Sequence, residues 1–164
     1  LDSLARELKL GFPGGPKIEK LAKEGEYIEL PYAVKGMDVS FGGLLTNLKQ
    51  KIAKGFKKEN LCYSVQDNAF SMLLEVSERA MAHCAKKELL LGGGVACNKR
   101  LQEMAETMCE ARGAECFILP NQYNVDNAAM IAWTGILMYQ NKAGESDGTV
   151  DPYKRTDDVE VVWR

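Results

Sequence analysis

Apolar positions recur at helical spacing through the first half of the chain and then contract into short continuous runs flanked by turn residues. Leu1, Leu4, Ala5 and Leu8 predict a short helix over 1–10, broken by Gly11-Phe12-Pro13-Gly14-Gly15-Pro16. Pro16 suits the first turn of a second helix, which runs through Ile18 and Leu21 and stops near Gly25. Residues 26–39 read as extended chain with turns. Ser40 is placed to cap a helix that buries Leu44, Leu45, Leu48 and Ile52 and ends at Gly55. A long helix is predicted over 64–86, where Ser64 and Asp67 match capping-box spacing with Asp in place of Glu. Val65, Ala69, Met72, Leu73, Val76 and Ala80 form its buried stripe.

The second half changes period. Leu89-Leu90-Leu91 reads as a strand over 88–91 that runs into Gly92-Gly93-Gly94. A helix over 98–112 follows, with Leu101, Met104, Ala105, Met108 and Ala111 on one face and Gly113 as its stop. A second strand over 115–119 leads to a polar loop, 120–127, and a last helix over about 127–141. A Gly-, Ser- and Asp-rich linker precedes a tail, 156–164, that reads as a short edge strand or extended segment.

The order helix, strand, helix, strand, helix predicts an α/β fold with a parallel strand pair. It divides the chain into a mostly helical part (1–87), a strand–helix–strand–helix core (88–141) and a linker with tail (142–164). Ligands in such sheets sit at the carboxyl ends of strands. That rule brings Gly92–Asn98 and Asn121–Asn127 to one edge. A glycine turn between strand and helix is either a packing device or a place where unpaired backbone amides meet a phosphate. The second polar loop beside it favours the ligand reading. The turn is neither a Walker A loop nor the spaced dinucleotide fingerprint.

Composition narrows this further. With 164 residues, 46% of them hydrophobic, the chain can bury a core as one domain or two small ones. Net charge is −2, an ordinary soluble surface with no general electrostatic grip on nucleic acid. Lys49, Lys51, Lys54, Lys57 and Lys58 cluster at a predicted helix end, where cations are favourable, and read as a solvated face. No apolar run is long enough to span a bilayer, so no membrane role is expected. Neither a secretory signal nor an initiator Met is present, so the start reads as an expression or processing boundary. Cys62, Cys84, Cys97, Cys109 and Cys116 form no Cys-x-x-Cys pair and read as reduced core residues of a cytosolic protein. One histidine, His83, excludes a Ser-His-Asp triad or a histidine-rich metal site within this chain.

The candidate chemistry therefore rests on carboxylates and loops. Asp126 directly precedes the apolar helix and is either its N-cap, which spacing alone favours, or a carboxylate aimed into a cleft. Asn98 is either the cap of its helix or a contact to a bound nucleotide. Asp2 and Glu19 flank the 11–16 turn and are either exposed surface acids or acceptors for ribose hydroxyls. Gly14 and Gly15 permit positive φ or close approach of a planar ring.

Four stretches and the tail occur in an order that resembles a known family. They are Phe12-Pro13-Gly14-Gly15-Pro16-Lys17-Ile18-Glu19; Leu30-Pro31-Tyr32-Ala33-Val34-Lys35-Gly36-Met37-Asp38-Val39-Ser40-Phe41; Gly92-Gly93-Gly94-Val95-Ala96-Cys97-Asn98; and Asp126-Asn127-Ala128-Ala129-Met130-Ile131-Ala132, with the tail 155–161. Together they resemble the tRNA N6-adenosine threonylcarbamoyltransferases of the KEOPS complex, formerly called O-sialoglycoprotein endopeptidases, in the archaeal and eukaryotic branch. The resemblance implies the second lobe of an actin-like (ASKHA) fold with a helical insertion. It implies a transferase that moves a threonylcarbamoyl group from threonylcarbamoyl-AMP to the adenosine beside the anticodon of tRNAs reading codons that begin with A. Asp2, Gly15 and Glu19 are then expected to hold adenosine, with Gly92, Gly93, Gly94 and Asn98 facing the nucleotide. Asp126 is expected to bind one divalent ion (iron, zinc or magnesium), and ATP or threonylcarbamoyl-AMP is expected in the cleft.

The same resemblance implies tRNA, the KEOPS kinase subunit and the small dimerising subunit as partners, in the cytoplasm with the nucleus as a second compartment. The family's two metal-binding histidines, in a His-x-x-x-His motif, have no counterpart here. The chain accordingly reads as the C-terminal lobe, without its N-terminal lobe. It is expected to be inactive alone and to self-associate through the face left uncovered. The alternatives are a lobe of an actin-like ATPase or sugar kinase, which shares the glycine loops, and a non-catalytic KEOPS interaction module. A metalloprotease finds no base-bearing zinc helix to support it.

Overall fold

The computed structural model describes residues 1–143, 148–155, 158 and 161. Two compact units are present, 1–124 and 125–164. In the first, four helices precede the sheet: α1 (Asp2–Glu7), α2 (Gly15–Ala22), α3 (Leu44–Ala53) and α4 (Lys58–His83). A small antiparallel hairpin, β1 (Val34–Lys35) and β2 (Asp38–Val39), interrupts them. Strand β3 (Glu88–Leu91), a 3-10 turn (Gly94–Cys97), α5 (Lys99–Ala111), β4 (Glu115–Ile118) and the short α6 (Asn121–Asn124) complete the unit. Strands β3 and β4 pair in parallel, Glu88 opposite Glu115 through Leu91 opposite Ile118, as the helix–strand alternation predicts. The described structure is thus α/β.

The long helix differs most from expectation. It begins at Lys58, six residues before Ser64, and carries no side-chain cap. Ser64 and Asp67 are not a capping box because tertiary structure uses both. Asn60, Ser64, Asn68 and Met72 lie along one stripe of α4, and the extended segment 26–33 runs beside it. The Glu26 amide donates to Asn60 Oδ1 (3.1 Å) and the Ile28 amide to Ser64 Oγ (2.7 Å). Asn68 Nδ2 donates to the Leu30 carbonyl (3.5 Å), and the Ala33 amide reaches Met72 Sδ (3.3 Å). Four residues of helix rise about 6 Å and two of extended chain about 6.6 Å. Every second residue from Glu26 to Leu30 therefore meets every fourth residue of the helix, and chain with no sheet partner still finds its hydrogen bonds. The hairpin is strapped to the same helix: Tyr32 Oη donates to Glu75, and Arg79 bonds both Glu75 and the Gly36 carbonyl.

Other boundaries shift by local chemistry. Helix α3 starts after Gly43, whose φ is +78°, while Ser40 Oγ accepts from the Gly42 amide instead of capping. The polar loop after β4 contains a helical turn, α6. In the second unit, α7 (Ala128–Gln140) is capped by Asn127, whose Oδ1 accepts from the Met130 amide at 3.0 Å. Asp126 is therefore not the cap; the cap lies one residue later. No residue of α7 is buried, and Ile131 and Trp133 are 76% and 62% exposed. Most of the expected tail element falls outside the described residues. Among those described, no helix is long and apolar enough to cross a membrane.

The core has two clusters. Leu4, Ile18, Leu48, Leu61 and Met72 anchor one between α1, α2, α3 and α4; Phe70, Leu74, Leu101 and Ala105 anchor the other under the sheet. Leu89, Leu91 and Cys116 pack inward on the second, whereas Leu90 and Phe117 face out. Helix α4 contributes to both. Burial pushes the Cys62 thiol up to about 12, with Glu59 adding to it, and pushes Cys116 up to about 11, with Cys109 adding to it. At pH 8 a thiol-alkylating reagent should therefore label exposed Cys84 readily and leave Cys62 and Cys116 largely unmodified, read by mass spectrometry of the folded chain. A second expectation concerns Gly25, where an added Cβ would lie 2.2 Å from the Glu59 carbonyl oxygen. Gly25→Ala forces α2 off α4 and should destabilise the fold by about 1–3 kcal/mol in a denaturant titration.

Candidate functional site

Helix α2 joins three of the predicted site residues, Asp2, Gly15 and Glu19, and reaches the start of α5 beside a fourth, Asn98. At its start, Asp2 Oδ1 accepts from the amides of Gly14 (2.8 Å) and Gly15 (3.2 Å), so an acid on α1 caps α2. Gly14 has a negative φ of −81°, so its need for glycine is not conformational. A Cβ there would stand 2.5 Å from both Ala5 Cβ and Asp2 Oδ1, and only glycine admits that approach. Gly15 has open space where a side chain would project. One helical turn later, Glu19 Oε1 accepts from the Lys99 amide at 2.9 Å. Both carboxylates thus bond backbone through one oxygen, while Asp2 Oδ2 and Glu19 Oε2 have no partner among the described residues.

Asn98 ends the 3-10 turn and begins α5. Its Oδ1 accepts from the amides of Arg100 (3.0 Å) and Leu101 (3.3 Å), and its own amide donates to the Val95 carbonyl (3.0 Å). Three successive amides at the start of α5, those of Lys99, Arg100 and Leu101, are therefore occupied by Glu19 and Asn98. The α5 terminus does not present them to an anion, contrary to the simplest reading of a glycine turn before a helix. The free donors lie earlier. The amides of Gly93, Gly94 and Val95 donate to no protein acceptor among the described residues, and all three residues are exposed. Gly93 has φ of +93° with an extended ψ of 168°, a backbone conformation that glycine adopts without strain. No atom stands within 4 Å of where side chains on Gly92, Gly93 or Gly94 would begin.

A cleft of about 150 Å³ opens beside this junction, lined by Glu19, Ala22, Lys23, Tyr63, Gln66, Lys99, Arg100 and Glu103. Arg100 clamps Asp67 through Nε (2.7 Å) and Nη2 (3.2 Å), a bidentate pair that joins α5 to α4 and raises the guanidinium pKa further. Helix α6 packs on the 94–97 turn, so the loop after β4 does lie beside the loop after β3 as far as Asn124. Asp126 belongs to the second unit. It is exposed and lines a cavity of about 360 Å³ with Asn127, Ala128, Met130 and Ile131. None of those neighbours is a carboxylate, histidine or thiol. Among the described residues, no three such groups come together to hold a metal ion, so Asp126 is a single donor here.

Sequence reasoning missed Gln66 and Arg100, and gave Asp67 a capping role in place of its pairing with Arg100. One signal was available: Gln66 lies on the 62–66–70 stripe of α4, whose other members, Cys62 and Phe70, are buried.

Comparison with known proteins follows the same outline. The family model described as tRNA N6-adenosine threonylcarbamoyltransferase (TsaD) matches residues 1–133. Curated relatives of that name from Methanocella arvoryzae and Thermococcus kodakarensis are 51% and 54% identical to this chain. Each alignment covers 99% of this chain and 51% of the relative. A probable bifunctional tRNA threonylcarbamoyladenosine biosynthesis protein from Methanosarcina mazei is 52% identical over 99% of this chain and 30% of its own length. The chain spans about half the length of the curated transferases it matches.

The double duty of Asn98 carries a measurable cost. Asn98→Ala removes the acceptor for two amides of α5 and should destabilise the fold by about 1–2 kcal/mol. Asn98→Asp keeps that acceptor and should recover part of the loss, both read from thermal or urea melts.

Proposed function

Because the chain belongs to the tRNA N6-adenosine threonylcarbamoyltransferase family, we propose that it is the nucleotide-holding part of such a transferase, an actin-like lobe. The observation that carries this reading is the division of labour in the two acids. Asp2 and Glu19 each fix a helix start with one oxygen and keep the other open, on elements joined to the same glycine turn. An open carboxylate oxygen is the natural acceptor for a ribose hydroxyl. The amides of Gly93, Gly94 and Val95 are the matching donors for the phosphate of ATP or threonylcarbamoyl-AMP.

In the reaction proposed for the whole enzyme, the N6 amine of a tRNA adenosine attacks the carbamoyl carbonyl carbon of threonylcarbamoyl-AMP. The bond from that carbon to the phosphate oxygen breaks, the amine loses a proton, and AMP leaves. The part assigned to this chain is to grip the leaving nucleotide: the acids orient the ribose, and the turn amides bear the charge that grows on the departing phosphate. Asp126 would supply one carboxylate to a divalent ion. Among the described residues it is a single donor, and no step is assigned to a metal. The tRNA, the KEOPS kinase and small dimerising subunits, and a cytoplasmic setting belong to the same proposal for the complete protein.

The test is a calorimetric titration of a non-hydrolysable ATP analogue into the chain, wild type against Glu19→Gln. The glutamine keeps an acceptor for the Lys99 amide but puts an amide donor where the open oxygen stood. Saturable binding weakened about tenfold, with an unchanged melting temperature, is the expected result; tenfold corresponds to about 1.4 kcal/mol, the scale of one hydrogen bond to a charged group. Saturable binding that Glu19→Gln leaves unmoved would remove the acids from the site. Absence of binding by the wild type would mean that these residues hold no nucleotide on their own.

A further inference from the structure

Gln66 lines the cleft beside Glu19 and makes its one side-chain hydrogen bond to Asn98, beneath the surface. It is 4% exposed, and its Oε1 accepts from Asn98 Nδ2 at 2.8 Å. Asn98 is itself 6% exposed, so water cannot replace that acceptor without rearrangement. The bond works with the cap to hold the Asn98 amide in one orientation. With Nδ2 committed to Gln66, Oδ1 must point at α5, where it caps Arg100 and Leu101. In the flipped orientation Nδ2 would face two amide donors, and Oδ1 would be paired only if Gln66 turned its own amide as well.

The consequence reaches the turn. The backbone amide of Asn98 closes the 3-10 turn on Val95, and the amide of Ala96 bonds the Gly93 carbonyl at 2.9 Å. Gln102 Nε2 fixes the turn from the other side by donating to the Ala96 carbonyl at 2.7 Å. A loosened Asn98 therefore loosens the segment that carries the free amides of Gly93, Gly94 and Val95. Its neighbour on α4, Asp67, holds Arg100 and so keeps α5 seated, but makes no bond to Asn98.

We propose that Gln66 is a positioning residue: by accepting from Asn98 it sets the orientation of the glycine turn that takes the nucleotide phosphate. This rests on the nucleotide reading of the turn, and the test separates the two. The variants are Gln66→Met, which keeps the volume and removes the acceptor, and Gln66→Glu, which keeps an acceptor oxygen. Phe70→Leu is a third, a core change one turn along α4 that lowers stability through the cluster shared with Leu101 and removes no hydrogen bond from Asn98.

Two readouts are taken on the whole chain: affinity for the ATP analogue by calorimetry, and amide exchange of Arg100 and Leu101 by NMR. Gln66→Met is expected to weaken binding about tenfold and to speed exchange at both amides about tenfold. Gln66→Glu should stay within about threefold of wild type on both counts. Phe70→Leu should lower the melting temperature and leave affinity where it was. Unchanged affinity in Gln66→Met, or an equal loss in Phe70→Leu, would overturn the proposal. Were the wild type to bind no nucleotide, the ligand reading would fall, and exchange would judge the lock alone. Faster exchange in Gln66→Met with rescue by Gln66→Glu would uphold it; equal exchange in all variants would sink it.

Discussion

The unit 1–124 depends on polar side chains that one long helix offers to the backbone of other segments. Buried amides and carbonyls must be paired, and much of this chain is neither helix nor sheet. Helix α4 resolves that conflict from within the core. Asn60, Ser64 and Asn68 serve the backbone of segment 26–30, and Gln66 and Asp67 hold the side chains of Asn98 and Arg100 at the start of α5. Remove those acceptors and donors, and the apolar residues around them would still collapse, but nothing would fix the register of the segments laid against the helix.

The candidate site is built on the same economy of groups. Asp2, Glu19 and Asn98 are helix caps by geometry, and a cap and a ligand contact are not exclusive when a carboxylate has two oxygens. The usual choice between a structural and a functional reading of such residues is a false one here. Stability holds one oxygen still, and a held carboxylate is a better ligand than a mobile one because less motion is lost on binding.

How much of this was legible depended on whether a signal was local. Strand β3, the glycine turn, α5 and β4 announce themselves through a change of period and through Gly113, and the structure has them within a residue or two. The family resemblance was legible in the order of its motifs. The start of α4 was not, because Ser64 and Asp67 carry the local signature of a cap while their partners, Ile28 and Arg100, lie more than thirty residues away. Asn127 displaced Asp126 as cap through a one-residue difference that composition cannot resolve, since both residue types cap well. Gln66 was invisible because a glutamine's worth depends on what it faces, and Asn98 is 32 residues further on.

The rungs between segment 26–33 and α4 also set a limit on themselves. Helix and extended chain advance by unequal steps, and the mismatch of about 0.6 Å per rung accumulates like the offset of a vernier scale. Two rungs close well, the third stretches to 3.5 Å, and the next contact skips to Ala33 and a thioether sulfur. A segment bound in this way is finite by construction: longer chain alongside the helix would fall out of step. Past that point the backbone must pair with itself, and the β1–β2 hairpin begins at Val34, the next residue.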